Sequence, residues 1–456
     1  MKLLSPLLAL FLLTSFSQAI DPPEKLWERT HTNIEALFDI ELVSSGGFIC
    51  AGYDEVGNCI FRFNDDADLL WAAGSTYVWR AEDVDELPDG TFIATGANYA
   101  TFDDAGDLWN SVLFIQKYDQ SGNVIWTKTY SGENALDEGF NIMLLPDGGF
   151  AVCGKVNGVV GSAIGNAWIL RTDANGDTLW TDIQGTHTVN FARGIEYDPV
   201  NDWIVVCIYG RTEELINRGP HLLYYSLDGE YLFGTTYPEL YPEQVRGFCP
   251  SSDGGYAFLS RYGTGNSRGH LVHTDNLGNI LWTQVVPAVA PTENDNLGLS
   301  FALIDGGYIC CGWDGYGPWP GSVDRIARDS TAMDDPSTQD GSLDRYDAYG
   351  NEMWHISNEV GGNNHFYSAV QLPQGGYMAA GTRGGNGYLV RYAPETGIGE
   401  GEPSALEALR LGSNPFSSSL SVSYSLPEAM QVTLSVYDIT GRMVGELEDG
   451  VLAAGE

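Results

Sequence analysis

A unit of about 55 residues recurs from near residue 36 to residue 394, and a fixed period of that size restricts the chain to a propeller or a solenoid. One half of the unit is a Gly-Gly-aromatic turn running into a short apolar strand: Gly46-Gly47-Phe48, Gly148-Gly149-Phe150, Gly254-Gly255-Tyr256, Gly306-Gly307-Tyr308 and Gly375-Gly376-Tyr377. Asp89-Gly90-Thr91-Phe92 and Asn201-Asp202-Trp203 are looser copies. The other half is a polar turn closed by a tryptophan, as at Trp126, Trp180, Trp282 and Trp354, with Trp71 and Phe233 ending two degenerate copies.

Each unit reads as four short strands without helical periodicity, which is one propeller blade. A single four-stranded sheet cannot cover its own apolar faces, so blades must pack around an axis. Counting the Gly-aromatic halves gives an all-β fold, a seven-bladed β-propeller over residues 20–394. The last copy stops at Pro394 without its Trp strand, whereas Leu26-Trp27 is an orphan Trp strand with no Gly-aromatic half before it. The simplest expectation is ring closure, with residues around Leu26 to Thr30 forming the outer strand of the last blade and removing two sheet edges. The alternative is an open array with frayed ends.

Lys2, the apolar run Leu3 to Leu13 and the small-residue site at Ser17-Gln18-Ala19 read as a secretory signal over residues 1–19, cleaved after Ala19. No later segment has the apolar length of a membrane span, so the mature protein is expected to be secreted or at the cell surface, as a monomer. The formal net charge of −39 argues against nucleic acid and anionic lipid as partners. The seven cysteines fall mostly where other copies place small apolar residues, which favours buried thiols, with a Cys50–Cys59 bridge as the alternative.

After Pro394 the composition changes. Residues 395–405 are Gly/Glu/Pro-rich and read as a linker, and residues 406–456 alternate as strands of a partial Ig-like β-sandwich domain. Asn414-Pro415-Phe416, the Ser425-Leu426-Pro427-Glu428 turn and Val436-Tyr437-Asp438-Ile439-Thr440-Gly441-Arg442 carry a resemblance. The segment resembles the C-terminal sorting domain of proteins exported by type IX secretion systems and the related Ig-like domain named after the flagellar hook-capping protein. The resemblance covers about the last 50 residues and implies a bacterial exported protein whose tail meets the export machinery; it departs from the family by ending at Ala454-Gly455-Glu456. More loosely, the repeats resemble secreted bacterial propellers.

Turns on one face of such a ring are tight, whereas the opposite loops vary in length, and varied loops on a rigid scaffold are where binding is expected. The longest lies in the sixth unit, where Trp313, Tyr316 and Trp319 precede a run of aspartates, a composition suited to stacking a sugar or gripping a peptide. Arg193 and Arg246 occupy equivalent places in the fourth and fifth units and are candidates to clamp a carboxylate, or to form internal ion pairs. The turns at Asp119, Asp173, Asp275 and Asp347 are explained by turn chemistry rather than calcium. No His/Cys cluster suggests a metal, no acid/base pair can be assigned by spacing, and no cofactor is expected. These features point to a secreted propeller that binds a glycan or an extracellular protein through its long-loop face. A polysaccharide-active glycosidase or lyase, or a structural surface-layer module, are the alternatives.

Overall fold

The computed structural model describes residues 21–395 except for 75–77, 103–107, 133–135, 159–164, 186–189, 211–218, 241–243, 262–268, 287–295, 303–305, 316–338, 359 and 361–362, and four strands of the C-terminal part. Strand β1 (Lys25–His31) precedes the repeats. They follow as β2–β5 (Ala36–Leu42, Phe48–Tyr53, Asn58–Phe63, Leu69–Gly74), β6–β9 (Val78–Glu86, Phe92–Phe102, Leu108–Tyr118, Val124–Tyr130) and β10–β13 (Leu136–Leu144, Phe150–Gly158, Asn166–Thr172, Thr178–Gln184). Next come β14–β17 (Phe191–Asp198, Trp203–Gly210, Gly219–Ser226, Tyr231–Thr236), β18–β21 (Gln244–Pro250, Tyr256–Arg261, Gly269–Thr274, Ile280–Val286), β22–β25 (Asn296–Ala302, Tyr308–Gly315, Gln339–Tyr346, Glu352–Asn358) and β26–β28 (Asn364–Gln371, Tyr377–Arg383, Asn386–Tyr392). No α-helix occurs among the described residues, and none of their helices is long and apolar enough to cross a membrane.

The strands form an all-β, propeller-like set of small antiparallel sheets. Five are four-stranded, and the remaining eight strands, β6–β13, form one sheet. This corrects the expectation of seven separate four-stranded blades. The physical reason is local: β8 runs to 11 residues, which brings Ser111 beside the start of β10, where it makes a parallel bridge with Leu136. The Ser111 hydroxyl also donates to the Asp137 carbonyl at 3.1 Å. The first strands of the repeats, β2, β6, β10, β14, β18, β22 and β26, pack in succession, and β26 returns to β2.

Strand β1 pairs antiparallel with β28, from Lys25 opposite Tyr392 to His31 opposite Gly387. Side chains reinforce this seam. Tyr388 donates to Glu28 at 2.7 Å, Arg383 pairs with the other Glu28 oxygen at 2.8 Å, and Lys25 reaches both Glu28 and Asn358. The apolar core lies between successive sheets rather than within them. Leu37, Ile40, Phe48 and Phe61 pack against Val370, Leu372, Met378 and Leu389 across the seam, with Trp27 at its edge.

The two halves of the repeat meet between neighbours. Each closing tryptophan lies over the glycine of the next unit's polar turn: a Cβ at Gly122 would fall 2.7 Å from Trp71, one at Gly229 2.8 Å from Trp180, and one at Gly350 2.5 Å from Trp282. These glycines hold φ near +80° (Gly122 +81°, Gly229 +88°, Gly350 +82°), so the position needs both a left-handed backbone and the absent side chain. The indole of Trp180 donates to Leu227 O at 2.9 Å, and that of Trp282 to Ala348 O at 3.2 Å. The last unit has no such turn, and Trp354 instead donates to the Glu395 carboxylate at 2.9 Å. Glu395 also accepts from Tyr377 at 2.7 Å and pairs with Arg345 at 2.9 Å, its side chain 6 % exposed. The sequence placed residue 395 in the linker; the structure makes it the last residue of the compact unit Pro22–Glu395.

The second compact unit contains Thr396–Glu456. It shows two hairpin pairs, β29 (Leu409–Leu411) with β30 (Val422–Tyr424), and β31 (Met430–Tyr437) with β32 (Met443–Leu452). Residues 1–19 and the linker beyond residue 395 lie outside the described residues. All seven cysteines are buried thiols, and no bridge joins Cys50 to Cys59; the Cys59 sulfur instead lies 3.2 Å from Tyr118 Oη.

Candidate functional site

Each inner strand begins at the long-loop end, and near that end most carry a β-bulge. In β2 the ladder steps from Leu37–Gly52 to Asp39–Ala51, which makes Phe38 the extra residue. The same step isolates Glu82 in β6, Phe140 in β10, Arg193 in β14, Arg246 in β18 and Tyr367 in β26. A bulge re-aims one side chain without disturbing the rest of a sheet. Six side chains of four types are thereby set at equivalent places around the mouth of the axis.

The backbone cause is a glycine in the second strand. Cβ atoms at Gly52, Gly96, Gly154 and Gly381 would run into the carbonyls of Ala36, Arg80, Glu138 and His365, the residues just before the bulges. In the two arginine units the partner positions are Ile208 and Ser260, and the glycine follows the bulge as Gly194 and Gly247. At Gly194 the space is filled by Phe248 of the neighbouring unit.

Around the mouth, the arc at the closing seam is aromatic. Phe38 stacks on Tyr53 at 5.7 Å and meets Tyr367 edge-on at 5.3 Å. All three are half-buried. The Arg80 guanidinium lies 5.8 Å over the Phe38 ring and is held by Glu82 at 2.5 Å and Glu138 at 3.5 Å. Arg193, in β14, lies over Phe140 at 4.2 Å and Phe191 at 4.9 Å. Arg246, half-buried, holds the equivalent place in the next unit.

Beneath the mouth, the inner strands are laced together by polar groups. Ser368 donates to Asp39 at 3.0 Å, and Val84 N donates to its other oxygen. Asp83 accepts from Asn141 Nδ2 at 2.7 Å and Ile142 N at 2.6 Å, and Asn141 accepts from Ile195 N at 3.0 Å. The belt stops where Gly194 has no side chain to continue it. Lower down come Glu41, Asp85 and Glu196. Burial, then the charges of Asp39 and Asp85, push Glu41 well up, while burial and Asp39 raise Asp85 to about 7. Burial and Asp85 raise Glu196 to about 8.

The residues singled out from the sequence fare unequally. Arg193 and Arg246 are at the mouth. Trp313, expected as an exposed anchor, is 5 % exposed: it is still within β23, with its ring stacked on His365 at 4.3 Å and edge-on to Tyr367 at 6.3 Å. Tyr316 and Trp319 lie outside the described residues. Asp119 accepts from Ser121 N and Asn123 N at 2.9 Å, and from Asn123 Nδ2 at 2.9 Å, so its carboxylate is absorbed by its own turn. Among the described residues, no three His, Cys, Asp or Glu side chains gather to hold a metal ion. Phe38, Glu82, Phe140 and Tyr367 were missed from the sequence, although glycine inside a strand, as at Gly52 or Gly154, is a known mark of a bulge.

No family model matches the chain, and no curated protein does. Among solved structures, a streptogramin B lyase aligns with TM-score 0.51 at 10 % identity, over 83 % of this chain and all of that one. A catalytically inactive histidine-to-alanine variant of virginiamycin B lyase from Staphylococcus aureus, with quinupristin, aligns with TM-score 0.50 at 11 % identity, over 80 % of this chain and 98 % of that one. A protein of unknown function from Bacteroides caccae aligns with TM-score 0.39 at 15 % identity, over 72 % of this chain and 95 % of that one. At such identities the likeness is one of fold, and the fold shown is a β-propeller.

Proposed function

We propose that this chain is an exported, extracellular or cell-surface propeller that binds a glycan or protein ligand at the long-loop mouth of its axis. In this reading the ring has seven units, the eight-stranded sheet supplying two, and the tail from residue 406 is a partial Ig-like sorting domain read by a type IX-like export system. The observation that carries the binding role is the set of bulges: one backbone device, repeated, presents three aromatics (Phe38, Phe140, Tyr367), one acid (Glu82) and two arginines (Arg193, Arg246). Residues that only hold a ring together repeat, as the Trp–Gly contacts do; a binding surface needs varied groups. Trp313 belongs to the support of that surface, whereas Tyr316 and Trp319 remain candidate contacts.

The test is a glycan and secreted-protein binding array on the full chain and on the variants Arg193→Ala/Arg246→Ala and Phe38→Leu/Tyr367→Leu. Loss of the same ligands in both variants, with unchanged melting temperature, is the expected result. Ligands that persist in both variants would remove the mouth from consideration. A lyase or glycosidase reading has one support of its own, the raised Asp85 and Glu196 carboxyls in the axis, suited to general-acid work near neutral pH. Turnover of a polysaccharide that is lost in Asp85→Asn and Glu196→Gln would replace binding with catalysis.

A further inference from the structure

Resting on the mouth as the binding surface, we infer that it receives a cationic group, the ammonium or guanidinium of a basic partner protein, on Phe38, Tyr53 and Tyr367 with the axial carboxylates behind them. Three observations converge. The first is the aromatic arc itself, in which a stacked and an edge-on contact fix three half-buried rings. The faces of such rings are electron-rich and attract cations, most strongly where water is partly excluded. The Phe38 ring already has the Arg80 guanidinium at 5.8 Å, and across the mouth Phe140 and Phe191 hold Arg193.

The second observation is a group of buried carboxyls on the inner strands, which burial and mutual repulsion bias towards the protonated form. Glu41 on β2, Asp85 on β6 and Glu196 on β14 are each raised by burial and by a neighbouring carboxylate, and Asp39 shares a hydrogen bond with Asp83. A positive group entering from the mouth would favour their ionised forms and be held by them. The third is the net charge of −39, which draws cations towards the protein and disfavours an anionic ligand. A neutral glycan would use the aromatic arc too, but its hydroxyls donate to an amide oxygen as they do to a carboxylate, and that difference separates the two ligand classes.

The experiment is calorimetric titration of the full chain at physiological ionic strength with tetramethylammonium, with tert-butanol as a neutral probe of similar shape and cellohexaose as a neutral glycan. Saturable tetramethylammonium binding is expected, weakened about tenfold or more in both Phe38→Leu/Tyr367→Leu and Glu41→Gln/Asp85→Asn. The leucines stay apolar and remove the rings, and the amides keep shape and remove the capacity to ionise against a cation. Asp119→Asn, on the opposite face, is expected to leave binding unchanged. Equal binding of tert-butanol, or tetramethylammonium binding indifferent to either double variant, overturns the inference. Should the leucine variant fail to fold, the isosteric amide variant decides. Cellohexaose binding lost with the rings but kept with the amides would sink the cation while leaving the mouth as the binding surface.

Discussion

The tight-turn face and the long-loop mouth belong to the same strands, yet they solve opposite problems. At the tight turns the aspartates are spent locally: Asp119, Asp173, Asp275 and Asp347 each accept backbone N–H groups of their own turn, and each Trp–Gly contact repeats the last. At the mouth the backbone repeats and the side chains do not. The bulge is regular, but its residue is aromatic, acidic or basic according to the unit, and the carboxyls below are raised by burial and by one another. Recurrence therefore marks what holds the ring, and divergence on a recurrent backbone marks what faces a ligand.

The largest test of this contrast removes β1. Deleting residues 22–31 strips the outer strand of the last sheet, the Glu28 contacts and Trp27 from the seam core. The loss should exceed about 5 kcal/mol, given a half-buried aromatic and a full ladder of paired backbone. Thermal unfolding checks it, and an unchanged melting temperature would show that the ring does not depend on its seam.

Next is Glu395→Ala. It leaves Arg345 buried without its carboxylate and takes the acceptor from Trp354 and Tyr377. Breaking one partner of a buried pair costs about 3–5 kcal/mol. A denaturant midpoint equal to that of the wild type would mean that this junction is not part of the ring's support.

Glycine substitutions dissect the repeated contact itself. Gly350→Ala forces a Cβ against Trp282 at φ +82°, whereas Gly254→Ala meets nothing within 4 Å at φ +89°. The second isolates backbone strain, about 1–2 kcal/mol, and the first should add about 1–3 kcal/mol of overpacking. Equal losses by chemical denaturation would show that the indole yields and that the glycine serves only its backbone.

Much of this face was legible in the sequence, because repetition exposes positions that must obey one rule: the Trp, the Gly four residues before it and the orphan Leu26-Trp27 stand out by recurrence. The mouth was only half legible. Arg193 and Arg246 showed through a shared Arg-Gly spelling, whereas Phe38, Glu82, Phe140 and Tyr367 occupy one structural position with no common residue type. Trp313 misled because β23 runs to Gly315, so a residue read as loop is strand and its ring turns onto His365. The steric role of Gly122 and Gly350 towards a neighbouring unit's tryptophan likewise needs the third dimension; sequence alone offers their positive φ.

The smallest expected effect probes the axis, and it has the opposite sign. Asp85 has an ordinary carboxyl value of 3.8 in the unfolded chain and about 7 in the fold, raised by burial and by Asp39. The folded state thus keeps a proton that the unfolded state has lost, and stability falls as pH rises from about 4 through about 7, where the fold must carry the charge. Below pH 4 both states are protonated and the stabilisation is fully present. Asp85→Asn mimics the neutral acid at every pH, so the variant should match the wild type near pH 4 and exceed it above pH 8. The full shift would correspond to about 4 kcal/mol at about 1.4 kcal/mol per unit, and partial exposure to water in the axis reduces this to about 1–3 kcal/mol. Melting temperatures of both proteins from pH 4 to pH 9 decide it. A variant less stable than the wild type at pH 8 would mean that the carboxylate is charged and partnered in the fold, which would remove the electrostatic contrast between the axis and the tight turns.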